Sequence, residues 1–222
     1  MNDDTTLFAT IRAELFTAVV GDVLDVMGAQ RQFLPPSIKP LDPRTVLVGR
    51  AMPVLESDYA FGEGPGAGEP FGLMFEALDS LLPGEIYIAT GASLTYALWG
   101  GLMSTRAQHL GAAGAILDGF VRDSEEIARL SFPVFAQGLY AQDQAPRGKV
   151  TDYRCPIHVD TILVKPGDLI FGDCEGVLVV PREVESEAIL RALEKARTES
   201  AVAKAIKDGM SASDAFRNFG VM

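Results

Sequence analysis

The stretch that most constrains the fold runs from residue 85 to residue 126 and has the pattern of a strand, a helix and a second strand. Residues 85–90 alternate apolar side chains, and residues 114–118 form another short apolar run; each run is followed by a glycine turn. Between them, residues 101–110 carry apolar side chains at helical spacing. Two strands joined by a crossover helix lie parallel, so the C-termini of both strands and the N-terminus of the helix share one edge of the sheet.

The lengths of these segments predict which residues meet at that edge. A helix of about ten residues spans roughly 15 Å, and a strand of about five residues spans roughly 16 Å. Because the two lengths match, residues 100–103 should come close to Arg122 and Asp123, although about twenty residues separate them in sequence.

The predicted edge carries groups suited to an anion and a metal ion. Free N–H groups at a helix N-terminus attract an anion, and Gly100 and Gly101 allow it to approach the backbone closely. Arg122 adds a planar charged fork that suits a carboxylate. Asp123 adds an oxygen ligand of the kind that Mg²⁺ or Mn²⁺ prefers. Such a site suits 2-oxo-acid chemistry; the alternative is a tight loop beside a turn with a surface ion pair.

Charge and cysteine content limit the classes of function. The net charge of −11, with no basic stripe, argues against nucleic acid as a partner. Cys155 and Cys174 lie far apart and form no CxxC pair, which fits a reducing compartment. The acidic N-terminus lacks the pattern of a signal peptide, and no apolar run reaches the roughly 20 residues of a membrane helix. We therefore expect a soluble cytoplasmic protein without membrane partners.

Two other kinds of catalytic site are poorly supported. His109 and His158 are too few and too scattered for a histidine-rich zinc site. No GxSxG sequence that would mark a nucleophilic serine occurs. The alternating glycines of residues 61–70 resemble a nucleotide-binding loop superficially, but Glu63 and Glu69 would repel phosphate. A mobile surface loop over a site is the better interpretation of that segment.

The rest of the chain predicts a mixed α/β architecture. Two helices precede a strand over residues 45–55, where Pro53 indicates an edge or a bulge. Residues 71–82 form an amphipathic helix before the central unit. Ser124 is a candidate helix cap, and the acids that follow it favour the helix N-terminus.

The last part of the chain changes from strands to helices. Strands without intervening helices are predicted over residues 149–154, 157–164, 169–171 and 176–180. Residues 182–209 form a long helix with a break near residue 199, and a short helix begins at Ser211. We expect a single domain over residues 1–222, with residues 182–222 as a helical extension. The long helix packs either on its own domain or on a neighbouring subunit.

Three segments resemble the RraA-like family, which includes regulators of ribonuclease activity and class II 4-hydroxy-4-methyl-2-oxoglutarate/4-carboxy-4-hydroxy-2-oxoadipate aldolases with oxaloacetate decarboxylase activity. They are ALWGGLMSTRAQHLGAAGAILDGFVRD at residues 97–123, PVFAQG at 133–138 and KPGDLIFGDCEGVLVVP at 165–181. The resemblance covers roughly residues 15–220. It implies an α/β chain with the three-layer β/β/α RraA-like (swivelling-domain) fold, built on a central βαβ unit with C-terminal helices. It also implies homotrimers or hexamers with sites at subunit interfaces.

The resemblance assigns roles to the edge residues. It implies that Arg122 binds the oxygens of a small 2-oxo acid substrate, that Asp123 holds a divalent cation (Mg²⁺ or Mn²⁺), and that the pyruvyl carboxylate contacts the backbone of Gly100, Gly101, Leu102 and Met103. Glu126 and Glu199 are further candidates to contact the water ligands of the metal, Glu199 in the next subunit.

One departure from the family concerns residue 101. Well-studied bacterial aldolases carry Asp or Glu 21 positions before the arginine, where this chain has Gly101. The chain follows instead the pattern of a glycine, twenty residues, Arg-Asp, two residues and Glu, which ends at Glu126. This variant also occurs in members with aldolase or decarboxylase activity, and retention of Asp123 favours an enzyme.

The residues and the resemblance together predict a divalent-metal-dependent lyase that cleaves a carbon–carbon bond of a 2-oxo acid and releases pyruvate. The activities expected are those of a 4-hydroxy-4-methyl-2-oxoglutarate aldolase, an oxaloacetate decarboxylase, or both. No lysine stands near the motif to form a Schiff base, since the nearest one downstream is Lys149. The alternative is a non-catalytic regulator that binds an RNA-processing enzyme.

Overall fold

The computed structural model describes residues 4–59 and 71–220. The described helices are α1 (Asp4–Glu14), α2 (Thr17–Val26), α3 (Met74–Asp79), α4 (Gly101–His109), α5 (Ser124–Leu130), α6 (Glu185–Lys207) and α7 (Ala212–Phe219). The described strands are β1 (Lys39–Pro40), β2 (Leu47–Asp58), β3 (Glu85–Thr90), β4 (Ala97–Trp99), β5 (Gly114–Val121), β6 (Val134–Leu139), β7 (Gly148–Tyr153), β8 (Ile157–Val159), β9 (Ile162–Val164), β10 (Leu169–Gly172) and β11 (Val177–Val180). The predicted glycine-rich loop, residues 61–70, lies outside the described residues.

Most of these strands join one mixed sheet in the order β1-β6-β5-β3-β2-β10-β11, with β4 paired to β5 and β7 paired to β2. Strands β2, β3, β5 and β6 are mutually parallel, because α3, α4 and α5 each return the chain to the start of the next strand. The C-termini of β3, β5 and β6 therefore lie at one edge of the sheet, as the sequence predicted for β3 and β5.

The fold has three layers because the strands bury both faces. Tyr87 and Ala89 of β3 pack in one cluster with residues of α3, α4 and α5. Ile86 and Ile88, which point the other way, pack with the β8–β9 hairpin. Helices therefore cover one face and a small hairpin covers the other, which confirms the predicted three-layer β/β/α arrangement with its central βαβ unit.

The C-terminal helices are also confirmed, and α6 packs on its own chain. Ala188, Ala192 and Ala196 recur at every fourth position of α6 and are buried against α1, α2 and the strands β10 and β11. The predicted break near residue 199 is wrong, because α6 continues to Lys207. The hydroxyl of Thr198 donates to the carbonyl of Glu194 (2.9 Å), so the side chain is satisfied inside the helix.

Several predicted boundaries need correction. Pro53 lies in the central strand β2 rather than at an edge, between the segment that pairs with β10 and the segment that pairs with β7. The predicted alternative of a bulge is confirmed, because the pairing of β2 with β7 shifts register between Leu55 and Glu56. The strand over residues 157–164 is a hairpin, turned at Asp160 with a φ of 53°. The helix predicted over residues 71–82 is limited to α3. Strand β4 was not predicted at all.

No described helix is long and apolar enough to cross a membrane.

Candidate active site

The N-terminus of α4 meets the end of β5 at the shared sheet edge. The backbone N–H of Gly101 donates to Asp123 Oδ2 at 3.0 Å. A Cβ atom placed on Gly100 would lie 2.8 Å from Asp123 Oδ2 and 3.4 Å from Arg122 Cγ. A side chain at residue 100 would therefore push the Asp123 carboxylate from its place, and the structure brings Gly100 and Gly101 together with Arg122 and Asp123 as predicted.

The start of α4 presents unpaired backbone donors toward this edge. Gly100 is extended, with φ −155° and ψ −175°, and has no side chain to cap the helix, so the Asp123 carboxylate on the Gly101 N–H is the side-chain acceptor for this first turn among the described residues. The N–H groups of Leu102 and Met103 lie in the first turn, where a helix offers no carbonyl acceptor. Below them, the buried hydroxyl of Ser104 accepts from Trp99 Nε1 (2.7 Å) and donates to the Gly100 carbonyl (3.1 Å). These contacts fix the turn, and its first N–H groups, which have no partner among the described residues, can receive an anion.

Asp123 owes its position to an unusual backbone conformation. Its φ of 56° and ψ of 36° place it in the left-handed region between β5 and α5, which is uncommon for a residue other than glycine. This sharp turn directs the carboxylate back toward Gly101 and away from its own helix. Asp123 rather than Ser124 occupies the cap position of α5 without a side-chain cap bond, so the predicted cap role of Ser124 is wrong.

Arg122 carries the positive charge of the site. Its Nη1 lies 3.2 Å from Asp143 Oδ1, and its Nε lies 3.8 Å from Asp123 Oδ2. The arginine side chain is 37% exposed, so solvent and a ligand can reach it. Because the guanidinium carries five N–H donors, its contacts with these two carboxylates leave donors that a ligand oxygen can use.

The groups at this edge open into a cavity of about 370 Å³, a size that suits a small molecule. Its described lining is Phe71, Met74, Phe75, Leu78, Ala97, Leu98, Trp99, Gly100, Leu102, Met103, Arg122, Asp123, Asp143 and Gln144. A larger cavity of about 700 Å³ runs along the other side of α5 and is not lined by Arg122 or Asp123. We take the smaller cavity as the candidate active site because the convergent charged groups lie there.

Glu126 stands directly over Gly101. A Cβ atom placed on Gly101 would lie 2.6 Å from Glu126 Cδ and would collide with its carboxylate oxygen. The carboxylate from α5 therefore fills the space that a side chain at residue 101 would occupy. An acidic group therefore stands at this position although residue 101 is a glycine.

The donor set fits a lightly coordinated divalent cation. Asp123 Oδ1 has no donor among the described residues, and the Glu126 carboxylate has neither a hydrogen bond nor an ion pair there. Within residues 4–59 and 71–220, no group of three or more His, Cys, Asp or Glu side chains forms a full metal cage. Mg²⁺ typically takes one or two carboxylates and keeps several water ligands, so these residues fit Mg²⁺ better than a structural zinc ion.

Glu199 does not belong to this group in the described chain. It lies on α6, where its carboxylate is 3.7 Å from Lys195 Nζ, and it does not line the cavity. Its predicted approach to a metal in a neighbouring subunit stays a prediction.

The structure adds Asp143 and Gln144, which the sequence analysis did not name. Both follow β6, and β6 is a parallel neighbour of β5. The available signal was topological, because the end of a parallel neighbouring strand opens at the same sheet edge. The polar composition of residues 137–148 gave no reason to choose these two residues.

Gln144 connects the cavity wall to a buried carboxyl group. Its Nε2 donates to Glu56 Oε2 at 2.8 Å, and both side chains are almost fully buried. The other oxygen of Glu56, Oε1, and the nearby hydroxyl of Tyr87 have no hydrogen-bond partner among the described residues. Burial, followed by repulsion from Asp58, raises the pKa of Glu56 to about 8. A protonated acid therefore supports the loop that carries Asp143.

Comparisons with known proteins agree with this architecture. A family model described as RraA-like, Aldolase/RraA, matches residues 17–179. A Halalkalibacterium halodurans protein provisionally named as a 4-hydroxy-4-methyl-2-oxoglutarate aldolase is 29% identical over 215 residues, which are 96% of this chain and 93% of that protein. The Legionella pneumophila protein DlpA is 28% identical over 204 residues. The matched region is 91% of this chain but spans only 32% of the Legionella protein.

Among solved structures, Streptomyces coelicolor RraAS2, titled an unusual member of the RNase ES inhibitor RraA family, has a TM-score of 0.78. The match covers 90% of this chain and 96% of that one at 20% identity. At this identity the likeness concerns the fold alone.

Proposed function

The chain belongs to the RraA-like family, and on that premise we propose that it is a lyase that cleaves a carbon–carbon bond of a 2-oxo acid and releases pyruvate. The observation that carries the proposal is the convergence of the α4 N-terminus, Arg122 and Asp123 on one cavity. The Halalkalibacterium halodurans relative matches nearly the whole chain, and its name gives a 4-hydroxy-4-methyl-2-oxoglutarate aldolase. It supports the same reaction class.

Each group of the site would bind a different part of the substrate or the metal ion. The free N–H groups of Leu102 and Met103 would receive the substrate carboxylate at the helix N-terminus. The Arg122 guanidinium would bind the 2-oxo oxygen and stabilise the negative charge that develops there when the C3–C4 bond breaks. Asp123, with Glu126 beside it, would hold a divalent cation. When bound, Mg²⁺ or Mn²⁺ supplies Lewis-acid stabilisation of charge on the 2-oxo group.

An imine mechanism is less well supported. It requires a lysine within reach of the substrate carbonyl, and no lysine is among the described residues that line the cavity. The buried Lys149 lies on β7, with its Nζ 5.1 Å from the centre of the Tyr59 ring.

The function is tested with a panel of 2-oxo acids assayed for pyruvate, with and without Mg²⁺ or Mn²⁺. We expect metal-dependent pyruvate release from 4-hydroxy-4-methyl-2-oxoglutarate, from oxaloacetate, or from both. A purified chain that binds the metal but produces no pyruvate from any member of the panel would contradict the proposal. Recovery of an RNA-processing enzyme on such an inactive chain would favour the regulator.

Arg122→Lys tests the carboxylate and oxo contacts. A lysine keeps the charge but loses the planar fork, so kcat/KM is expected to fall by about 10- to 100-fold, as for the loss of a charged hydrogen bond of roughly 1.5–3 kcal/mol. Arg106→Lys is a matched control, because Arg106 lies on α4 and pairs with Asp79 at the surface. A change below about twofold in Arg122→Lys would count against this role.

Gly101→Ala tests the position of Glu126. The new methyl group would displace the Glu126 carboxylate, so we expect the affinity for Mn²⁺ to fall about tenfold, as for the loss of a group near a metal. Glu126→Ala should lower the affinity for Mn²⁺ to a similar degree. The double variant should bind Mn²⁺ no more weakly than either single variant, since both changes remove the same interaction. Losses that add in the double variant would show that Gly101→Ala does not act through Glu126. An unchanged Mn²⁺ affinity in Glu126→Ala would show that Glu126 is unrelated to the metal.

We also propose that the chain assembles into a homotrimer or hexamer. Large apolar side chains of the cavity wall remain exposed, including Phe75 (58%) and Leu102 (81%), and such exposed apolar groups commonly mark subunit contacts. Analytical ultracentrifugation measures the assembly directly, and a monomer across the micromolar range would refute it.

A further inference from the structure

Asp143 is a carboxylate in the cavity wall that the roles above leave unused. It lies in the segment between β6 and β7, and its Oδ1 is 3.2 Å from Arg122 Nη1. Its side chain is 44% exposed, so the carboxylate can meet a bound ligand. Apart from Arg122, its carboxylate has no partner among the described residues.

The segment that carries Asp143 is anchored on both sides of it. The carbonyl of Gln142 accepts from the N–H of Ala97 at 2.8 Å, and Gln144 is held by the buried Glu56 at 2.8 Å. Gln144 is only 3% exposed. The backbone that carries Asp143 is therefore anchored, and its ion pair with Arg122 sets where the carboxylate stands, as proton transfer requires.

The other acids near the cavity are committed elsewhere. Asp123 and Asp143 are the carboxylates among the described lining residues. Asp123 accepts from the Gly101 N–H and is proposed to hold the metal. Glu56 is shielded from the cavity by Gln144. Asp143 remains as the carboxylate that faces the cavity beside the arginine without another task.

Covalent geometry places a substrate proton near this group. In a 4-hydroxy-2-oxo acid, the 2-oxo oxygen and the 4-hydroxyl oxygen are joined through three carbon atoms. If Arg122 holds the 2-oxo oxygen, the 4-hydroxyl lies next to the arginine, where the partner carboxylate Asp143 stands.

We propose that Asp143 is the general base that removes the proton of the substrate 4-hydroxyl. This inference rests on the proposed function. The Asp143 carboxylate takes the O4–H proton, the O4–C4 bond becomes a carbonyl, and the C3–C4 bond breaks. Its electron pair forms the enolate of pyruvate, and the proton then passes from Asp143 to C3. From 4-hydroxy-4-methyl-2-oxoglutarate the balance is two molecules of pyruvate, with no other reactant.

The test compares two reactions that share the enolate but differ in the need for a base. Decarboxylation of oxaloacetate also breaks the C3–C4 bond, but it releases CO₂ and involves no 4-hydroxyl proton. In Asp143→Asn, kcat for cleavage of 4-hydroxy-4-methyl-2-oxoglutarate is expected to fall by about 10²-fold or more, the usual contribution of a general base. Decarboxylation and the affinity for oxalate should stay within about threefold of wild type.

A control variant and four further outcomes separate this inference from the proposed function. Asp25→Asn, an exposed charge removal on α2, should affect neither reaction. Equal losses in both reactions of Asp143→Asn would show that Asp143 only positions Arg122, which would overturn the inference, as would unchanged cleavage. A wild-type chain that decarboxylates oxaloacetate but cleaves no 4-hydroxy-2-oxo acid would overturn it too. A wild-type chain inactive in both reactions would instead remove the proposed function itself.

Discussion

Asp123→Ala is expected to lower pyruvate release by about 10³-fold or more, a loss of roughly 4 kcal/mol in transition-state stabilisation. The substitution removes a proposed metal ligand and the acceptor of the Gly101 N–H at 3.0 Å. Steady-state kinetics at saturating Mg²⁺, together with Mn²⁺ binding measured without substrate, test the two consequences separately.

The fold must survive for this result to be informative. Residue 123 has a φ of 56°, and alanine tolerates that conformation less well than asparagine. Asp123→Asn is therefore the second variant, because it keeps the size and the turn but removes the charge. Glu125→Ala, an exposed residue of α5 paired with Arg129, is the matched control.

The contrary outcome is clear. If both Asp123 variants retained activity within about tenfold of wild type, and a chelator had no effect, the assignment of Asp123 to a metal would be wrong. Loss of activity in Glu125→Ala as well would indicate a general effect on α5.

Glu56→Gln is expected to change how stability depends on pH. Glu56 is 1% exposed, and its pKa is raised from 4.5 to about 8, mainly by burial. Between these values the folded state keeps a proton that the unfolded state has lost. The free energy of unfolding of the wild type should therefore fall as pH rises, by about 1.4 kcal/mol per pH unit from this group.

The neutral glutamine has no such titration. The difference in unfolding free energy between Glu56→Gln and wild type should grow in favour of the variant by roughly 3 kcal/mol between pH near 5.5 and pH near 8. Urea unfolding at constant ionic strength measures this difference. Glu187→Gln, on the exposed face of α6, serves as the control. If the unfolding free energies of wild type and Glu56→Gln changed with pH in parallel, Glu56 would be ionised in the folded chain.

Glu56 also links stability to the site. Its hydrogen bond to Gln144 anchors the segment that carries Asp143, so ionisation of Glu56 would place an unsolvated charge behind the cavity wall. Glu56→Gln preserves the acceptor oxygen for Gln144, so we expect the position of Asp143 to be retained.

The extents of the elements show where sequence reasoning succeeded. Strand β3 matches its predicted bounds, and α4 begins at the predicted glycine. These bounds were predictable because the spacing of apolar residues and the glycine turns are local signals in the sequence. Strand β5 was predicted to stop at Asp118 but continues to Val121. A register shift against β6 lies between Leu117 and Phe120, so pairing with a distant strand overrode the local turn signal.

The sequence by itself determined the central βαβ unit and the meeting of Gly100 and Gly101 with Arg122 and Asp123. Segment lengths and strand direction are local quantities, and they suffice to bring both ends to one edge. Only the tertiary structure decided that Glu126 fills the space over Gly101, and that Asp143 faces Arg122 on a segment anchored to Glu56. These contacts join segments whose proximity depends on how helices and neighbouring strands pack, and no period or spacing within the chain encodes that packing.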